Sequence, residues 1–214
     1  MTDQALLATV LVALITAVIG PIVLEYIRSL IRKKEKDAEK ADEADDPMYD
    51  EMLVDITITE QIQYLLDKVD ADRVWVMQFH NGGHYYASGL SIKKFTIFFE
   101  VVSTGVSTIR EKFVGIPTSF FSKSIKEVHD HSFLCIDNMN DESQPAYGLR
   151  DTAEGTGCQS LFMAALKTPS GKLHGAIGVE FVKEARAFTE DEKELIIDTA
   201  SYISGALEVI HKFK

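Results

Sequence analysis

The chain has 214 residues, with 33 Asp and Glu against 22 Lys and Arg and a formal net charge of −11. That length allows one ordinary domain plus an appendage, and the acidic balance excludes nucleic acid as the main partner, because phosphate binding needs a basic face. Two cysteines, Cys135 and Cys158, are too few for a disulfide framework and suit a reducing compartment.

No charged residue lies between Ala5 and Leu24. At ~1.5 Å rise per residue this run reaches ~30 Å, the thickness of a hydrocarbon core. Its Val, Ile, Leu and Ala content predicts a transmembrane helix over residues 5–27, bent near Gly20 and Pro21, with Glu25 and Tyr26 at the water interface. A cleaved signal peptide is the competing reading, but it requires a positive n-region, and the charged side chain ahead of the run is Asp3. Arg28, Arg32, Lys33, Lys34 and Lys36 follow the run, and no Lys or Arg precedes it. The positive-inside rule therefore leaves residues 1–4 outside and the chain after the span in the cytoplasm. The expectation is a single-pass protein of the plasma (inner) membrane, with the lipid bilayer as a partner. Residues 28–46 form a charged linker: from Lys33 to Asp46 no large apolar side chain is available to bury.

Asp46 and Pro47 supply an N-cap and a first helical position, so the globular domain is expected over residues 47–214. Met52, Ile56, Ile58, Ile62, Leu65, Leu66 and Val69 mark an apolar stripe on its first helix. Arg73 to Phe79 is a continuous apolar strand suited to a sheet centre. It runs into a loop of His80, Asn81, Gly82, Gly83, His84, Tyr85 and Tyr86. Ser91 to Val102 is a second long strand, and Ser103 to Phe113 has no assignable pattern. Thr118 or Ser119 is expected to cap a helix carrying Phe120, Phe121, Ile125 and Val128. Phe133 to Ile136 is a short strand leading to Asp137 and Asn138, and Glu142 to Gly157 is a short helix and loop broken by Gly155 and Gly157. Ser160 to Leu166 and Leu173 to Val182 are paired strands joined by a Pro-Ser-Gly turn. In the return strand Ala176, Gly178 and Glu180 alternate with Ile177, Val179 and Phe181. Thr189 with Glu192 three residues later forms a capping box, and Leu195, Ile196, Thr199, Ile203, Ala206, Leu207 and Ile210 recur at helical spacing.

Gly175, Gly178, Val179, Phe181, Phe188, Thr189 and Asp191, in that order across a strand and into a helix, resemble the C-terminal half of a GAF domain. The resemblance extends over Met52 to Ile210. It implies an α+β fold, an antiparallel sheet with flanking helices, and a regulatory small-ligand pocket. It also implies that the first and last helices lie together on the face away from that pocket, where such helices commonly form a homodimer seam. The signature of cyclic-nucleotide-binding members is incomplete here, with Val182, Lys183 and Glu184 in place of its Asn-Lys part. Cys158 is followed by Gln159, unlike the Cys-His pair of bilin-binding members, and the cysteine set of free methionine sulfoxide reductases has no counterpart.

The candidate binding residues are His80, Asn81, His84, Tyr85, Tyr86, Asp137, Asn138 and Cys158. Two imidazoles, an amide, two glycines and two aromatics at a strand end can grip a polar planar ligand. The same residues also read as a hairpin turn whose tyrosines cover the core. A metal at His80 and His84 is disfavoured, because an Asn-Gly-Gly turn does not place them on one helical face. Asp137 and Asn138 can face the cavity or close an Asx-turn. Cys158 reads more readily as a small hydrophobe than as a nucleophile. The expected role is a non-catalytic ligand-binding sensor or regulatory module. The alternatives are an interaction module with a protein partner and no ligand, its pocket plugged by Phe98, Phe120 and Phe121, and a cysteine-dependent reductase using Cys135 and Cys158.

Overall fold

A computed structural model describes residues 47–84 and 91–211. The expected span at 5–27, the linker at 28–46, and Tyr85 and Tyr86 lie outside the described residues. Among the described residues no helix is long and apolar enough to cross a membrane.

The elements are helix α1 (Pro47–Val69), strands β1 (Arg73–His84), β2 (Ser91–Val102) and β3 (Ile116–Pro117), helix α2 (Ser122–His131), strand β4 (Phe133–Ile136), helix α3 (Arg150–Thr156), strands β5 (Ser160–Lys167) and β6 (Leu173–Phe181), and helix α4 (Glu190–His211). The strands form one sheet in the order β3-β2-β1-β6-β5-β4, and every neighbouring pair is antiparallel. Strand alternation divides the interior into two cores. Val74 and Val76 of β1, Phe162 and Leu166 of β5, and Ile177 and Val179 of β6 pack under Ile58, Ile62 and Leu65 of α1 and Ile196, Ile203 and Leu207 of α4. Each such aliphatic side chain contributes about 1.5–3 kcal/mol relative to exposure. Trp75, Met77, Phe95, Ile97, Leu161, Met163 and Ala176 face the other way, into a second core closed by α2, α3 and irregular segments. The sheet is thus covered on both faces, with the long helices on one side as the resemblance implies.

The capping box of α4 is formed: the Thr189 amide donates to Glu192 Oε2 at 2.8 Å, and the Glu192 amide donates to Thr189 Oγ1 at 3.3 Å. Three local expectations need correction. The first concerns β1, which continues past Phe79 to His84. His80 pairs with Lys94, Asn81 with Lys93 and His84 with Ser91, with an irregularity between Asn81 and His84. The long β2 edge supplies ladder partners that a local reading cannot see, and Gly83 at φ 73° makes a bulge within the pairing where a turn is expected. The second concerns the helix near residue 118. A 3-10 turn at Thr118–Phe121 precedes α2, and neither helical segment has a side-chain cap. Thr118 Oγ1 instead donates to the Lys93 carbonyl at 3.1 Å, beside the short β2–β3 pairing. The third concerns the α1 stripe: Met52 and Ile56 are 50% and 51% exposed, and Val54 takes the buried position. The buried face is set by contact with the sheet and α4, which only the tertiary fold reveals.

Candidate functional site

The cavity-side core holds a space of about 60 Å³. Its floor is the sheet: Trp75 and Met77 of β1, Phe95 and Ile97 of β2, Leu161 and Met163 of β5. Its roof is Ile125 of α2, Ala153 of α3, and Ile109, Met139 and Leu149 from the connecting segments. Phe95, Phe113 and Phe121 close one side as an aromatic cluster, with Phe95 and Phe121 edge to face at 5.4 Å. The lining is almost wholly apolar.

Glu180 and Trp75 meet at the wall, where the chain buries a charged network. Glu180 is 4% exposed and Arg73 is 1% exposed. Arg73 Nη1 donates to Glu180 Oε2 at 2.6 Å, and Trp75 Nε1 donates to Glu180 Oε1 at 2.6 Å. Arg73 Nη2 donates to the carbonyls of Ser107 at 2.9 Å and Thr156 at 3.2 Å. Its Nε lies 3.6 Å from Glu100 Oε1, in ion-pair range but beyond hydrogen-bond distance. Glu100 in turn accepts the amides of Ile109 and Arg110 at 2.7 and 2.8 Å. One guanidinium thereby links β1, β6, the segment after β2 and the end of α3. Removing one partner of such a buried pair costs about 3–5 kcal/mol, because the other charge is left unpaired. Burial pushes the Glu180 carboxyl up, against the pull of Arg73 and Trp75.

Of the expected site residues, the cavity takes in Cys158. Its Sγ donates to the Ser160 carbonyl at 3.3 Å, and burial, then the charge of Glu180, pushes the thiol well above its ordinary range. His80 points elsewhere: its Nε2 is 2.9 Å from Thr96 Oγ1, which also accepts the Gly115 amide. Asn81 is exposed and accepts from Lys93 Nζ at 2.5 Å, and His84 is exposed. Asp137 Oδ1 accepts from Cys135 Sγ and from the Phe188 amide, both at 3.3 Å, so it fastens the end of β4 to the approach to α4. Asn138 Oδ1 accepts the Asn140 amide at 2.9 Å, an Asx-turn. The described residues of the expected set are thus not gathered into one site. Among the described residues no group of three or more His, Cys, Asp or Glu could hold a metal.

Phe121 is in the cavity wall, while Phe98 and Phe120 are exposed and plug nothing. Cys135 packs against the helix-side core and Cys158 belongs to the cavity-side core, on opposite faces of the sheet. The Cys135 thiol is pushed up to about 12, by burial first and then by the hydrogen bond and charge of Asp137. Both thiols stay protonated near neutrality, which makes them poor nucleophiles.

The network of Arg73, Glu100 and Glu180 escaped the sequence reading. Its signal was a Glu on the same strand face as Ala176 and Gly178, small residues that leave room for a large neighbour, with an Arg opening the strand that pairs with it.

The architecture is that of a GAF domain. The blue-light-absorbing form of the PixJ GAF domain from Thermosynechococcus elongatus matches with a TM-score of 0.59 at 16% identity, over 76% of this chain and 89% of that one. The far-red-absorbing dark state of JSC1_58120g3 with bound biliverdin IXa matches with a TM-score of 0.54 at 13% identity, over 70% of this chain and 86% of that one. A GAF domain/HD domain protein from Geobacter sulfurreducens matches with a TM-score of 0.55 at 13% identity, over 75% of this chain and 96% of that one. At these identities the likeness is one of fold. No sequence-family model matches the chain, and no curated protein matches it.

Proposed function

We propose that this chain is a non-catalytic sensor or regulatory module that binds a small ligand in the cavity between β1, β2, β5, α2 and α3. The observation that carries this reading is the cavity itself. It lies on the sheet face opposite α1 and α4, and its roof is fastened through Arg73 to the Ser107 and Thr156 carbonyls. A ligand pressing on that roof acts on segments tied to the sheet through the buried side chains of Arg73 and Glu100. The structural neighbours include a blue-light-absorbing GAF domain and a far-red-absorbing protein with bound biliverdin. A tetrapyrrole does not carry over to this chain: the cavity of about 60 Å³ is far too small for one, and Gln159 follows Cys158 where bilin-binding relatives have His.

The apolar run from Ala5 to Leu24, with basic residues after it and none before, supports anchorage in the inner membrane with the domain in the cytoplasm. The exposed apolar side chains of α1 and α4, Met52, Leu53, Ile56, Tyr64, Ile197 and Tyr202, support pairing with a second copy. Tethering in two dimensions raises the effective concentration of such partners.

Native mass spectrometry of the chain purified from expressing cells tests the sensor reading. The expected result is a co-purified small molecule that is absent from Ala153→Leu, in which the cavity is filled. A bare chain, unaltered by any added small molecule, opposes it. Reporter fusions at Lys214 test the topology: a reporter active only outside the cytoplasm must stay silent.

A further inference from the structure

Resting on the reading of the cavity as a ligand site, we infer that its ligand is a small, uncharged, apolar molecule of about the size of benzene, admitted by movement of the three cavity methionines.

Charge comes first. Among the described residues no Lys, Arg or His lines the cavity, and the one carboxyl that does so is Glu180. An anion entering would leave water, meet a carboxylate and find no cation on the wall, since Arg73 is spent on Glu180 and on the Ser107 and Thr156 carbonyls. A cation fares no better. Each oxygen of Glu180 already accepts a charged or indole N–H at 2.6 Å, and the cation would have to displace one of them. Desolvating a charge without a partner is among the most costly steps in binding. Nucleotides, carboxylates and amines are therefore excluded by the same wall.

Hydrogen-bonding capacity is the second constraint. Ser124 Oγ donates to the Phe121 carbonyl at 3.0 Å, and Thr156 Oγ1 to the Thr152 carbonyl at 3.0 Å. Cys158 Sγ donates to the Ser160 carbonyl, and Trp75 Nε1 to Glu180. Among the described residues four of the five lining side-chain donors are satisfied in this way, which leaves the Thr152 hydroxyl as the one donor able to orient a polar ligand. A sugar or an amino acid would give up its hydration for few replacements, whereas an apolar molecule gains from every wall it touches.

Size is the third. A dry apolar cavity of roughly 150 Å³ takes benzene or xenon, and this one measures about 60 Å³. It must widen, and the side chains able to yield are in place: Met77 and Met163 on the floor and Met139 in the roof. An unbranched thioether with three rotatable bonds fills a gap when the gap is empty and vacates it at low cost.

The methionines also provide the test. The chain has six Met, and Met77, Met139 and Met163 line the cavity while Met48 and Met52 are exposed on α1. The full chain, labelled with 13C at the Met methyls, is equilibrated with benzene vapour at fixed activities, and separately with benzoate and with cyclic AMP. The expected result is a saturable shift of the Met77, Met139 and Met163 methyls with benzene and no shift with either anion. Ala153→Leu and Ile97→Phe, two independent ways of filling the cavity, must each abolish that shift. Shifts of the same three methyls with benzoate or cyclic AMP overturn the ligand class while leaving the cavity as a ligand site. Benzene shifts that spread equally to Met48 and Met52 without saturating mean partitioning and overturn the inference. No shift with any probe removes the cavity as a ligand site, and the proposed function falls with it.

Discussion

Gly178 offers the sharpest test of how the cavity floor is built, because local propensity and tertiary packing predict opposite signs. Glycine inside a strand costs about 0.5–1 kcal/mol relative to alanine, so propensity alone predicts that Gly178→Ala stabilises. The structure predicts the reverse. Gly178 pairs with Trp75 across β1 and β6, and a Cβ at Gly178 would sit 2.1 Å from Trp75 Cζ2 and 2.3 Å from Cε2. Non-bonded carbons settle at about 3.5–4.0 Å, so the indole must retreat by more than 1 Å. It cannot retreat freely, because its Nε1 is held by Glu180 at 2.6 Å. Overpacking costs about 1–3 kcal/mol, and loss of a hydrogen bond to a charged group about 1.5–3 kcal/mol. With the propensity gain set against these, a net destabilisation of about 2–5 kcal/mol is expected. Trp75 is the sole tryptophan, so its fluorescence in a urea titration reads the transition directly. The midpoint should fall at unchanged slope. In a Trp75→Phe background, followed by circular dichroism, the same substitution should cost at least ~1 kcal/mol less, since the coupled groups are gone. A neutral or stabilising Gly178→Ala, or equal cost in both backgrounds, would refute the packing argument.

Three further outcomes follow from the charges and the exposed surface. Burial works to raise the Asp72 carboxyl, but hydrogen bonds from Lys183 Nζ, the Lys183 and Val182 amides and Ser103 outweigh it and bring it to about 2. An unfolded Asp titrates near ~3.9, so this group contributes about 2 kcal/mol that is fully present above pH ~4 and lost as pH falls through ~2. Asp72→Asn should therefore lower stability at neutral pH and flatten its acid limb, and an unchanged limb in acid titrations would count against this assignment. Cys135 and Cys158, both held protonated, should resist alkylation at pH 7–8 in the native chain and react at once in denaturant; rapid native labelling would reopen a thiol role. Ile56→Asp on the exposed side of α1 should shift the chain from dimer to monomer in light scattering while leaving its melting temperature within a few degrees; a strictly monomeric parent chain would remove the proposed seam.

The β5–β6 hairpin and α4 were legible because their information is local. A Pro-Ser-Gly turn, alternation of small and apolar residues, and a Thr–Glu capping box each act within a few positions. The helix-side core was readable for the same reason, apart from Met52 and Ile56, whose exposure depends on which face of α1 meets the sheet. The segment from Ser103 to Phe113 was not readable, since the Ile109 and Arg110 amides at the start of its 3-10 turn (Arg110–Lys112) bond to Glu100 on β2. His80 and Asn81 drew attention as a loop but belong to a ladder whose other rail is β2. The cavity was least visible of all. Its wall gathers one to three residues from each of six strands and helices and others from the segments between them, and no spacing in one chain segment records that convergence.

The central claim is that the space above β1, β2 and β5 is a ligand site, and thermal melting of the intact chain against a library of small neutral compounds tests it most directly. A ligand that binds only the folded state raises the melting temperature by mass action, about 2.7 kcal/mol of stabilisation at a hundredfold excess over its Kd. The account predicts at least one compound that stabilises the parent chain in a saturable, concentration-dependent way and leaves Ala153→Leu and Ile97→Phe unmoved. Stabilisation that persists undiminished in both filled variants would place the ligand elsewhere and contradict the account.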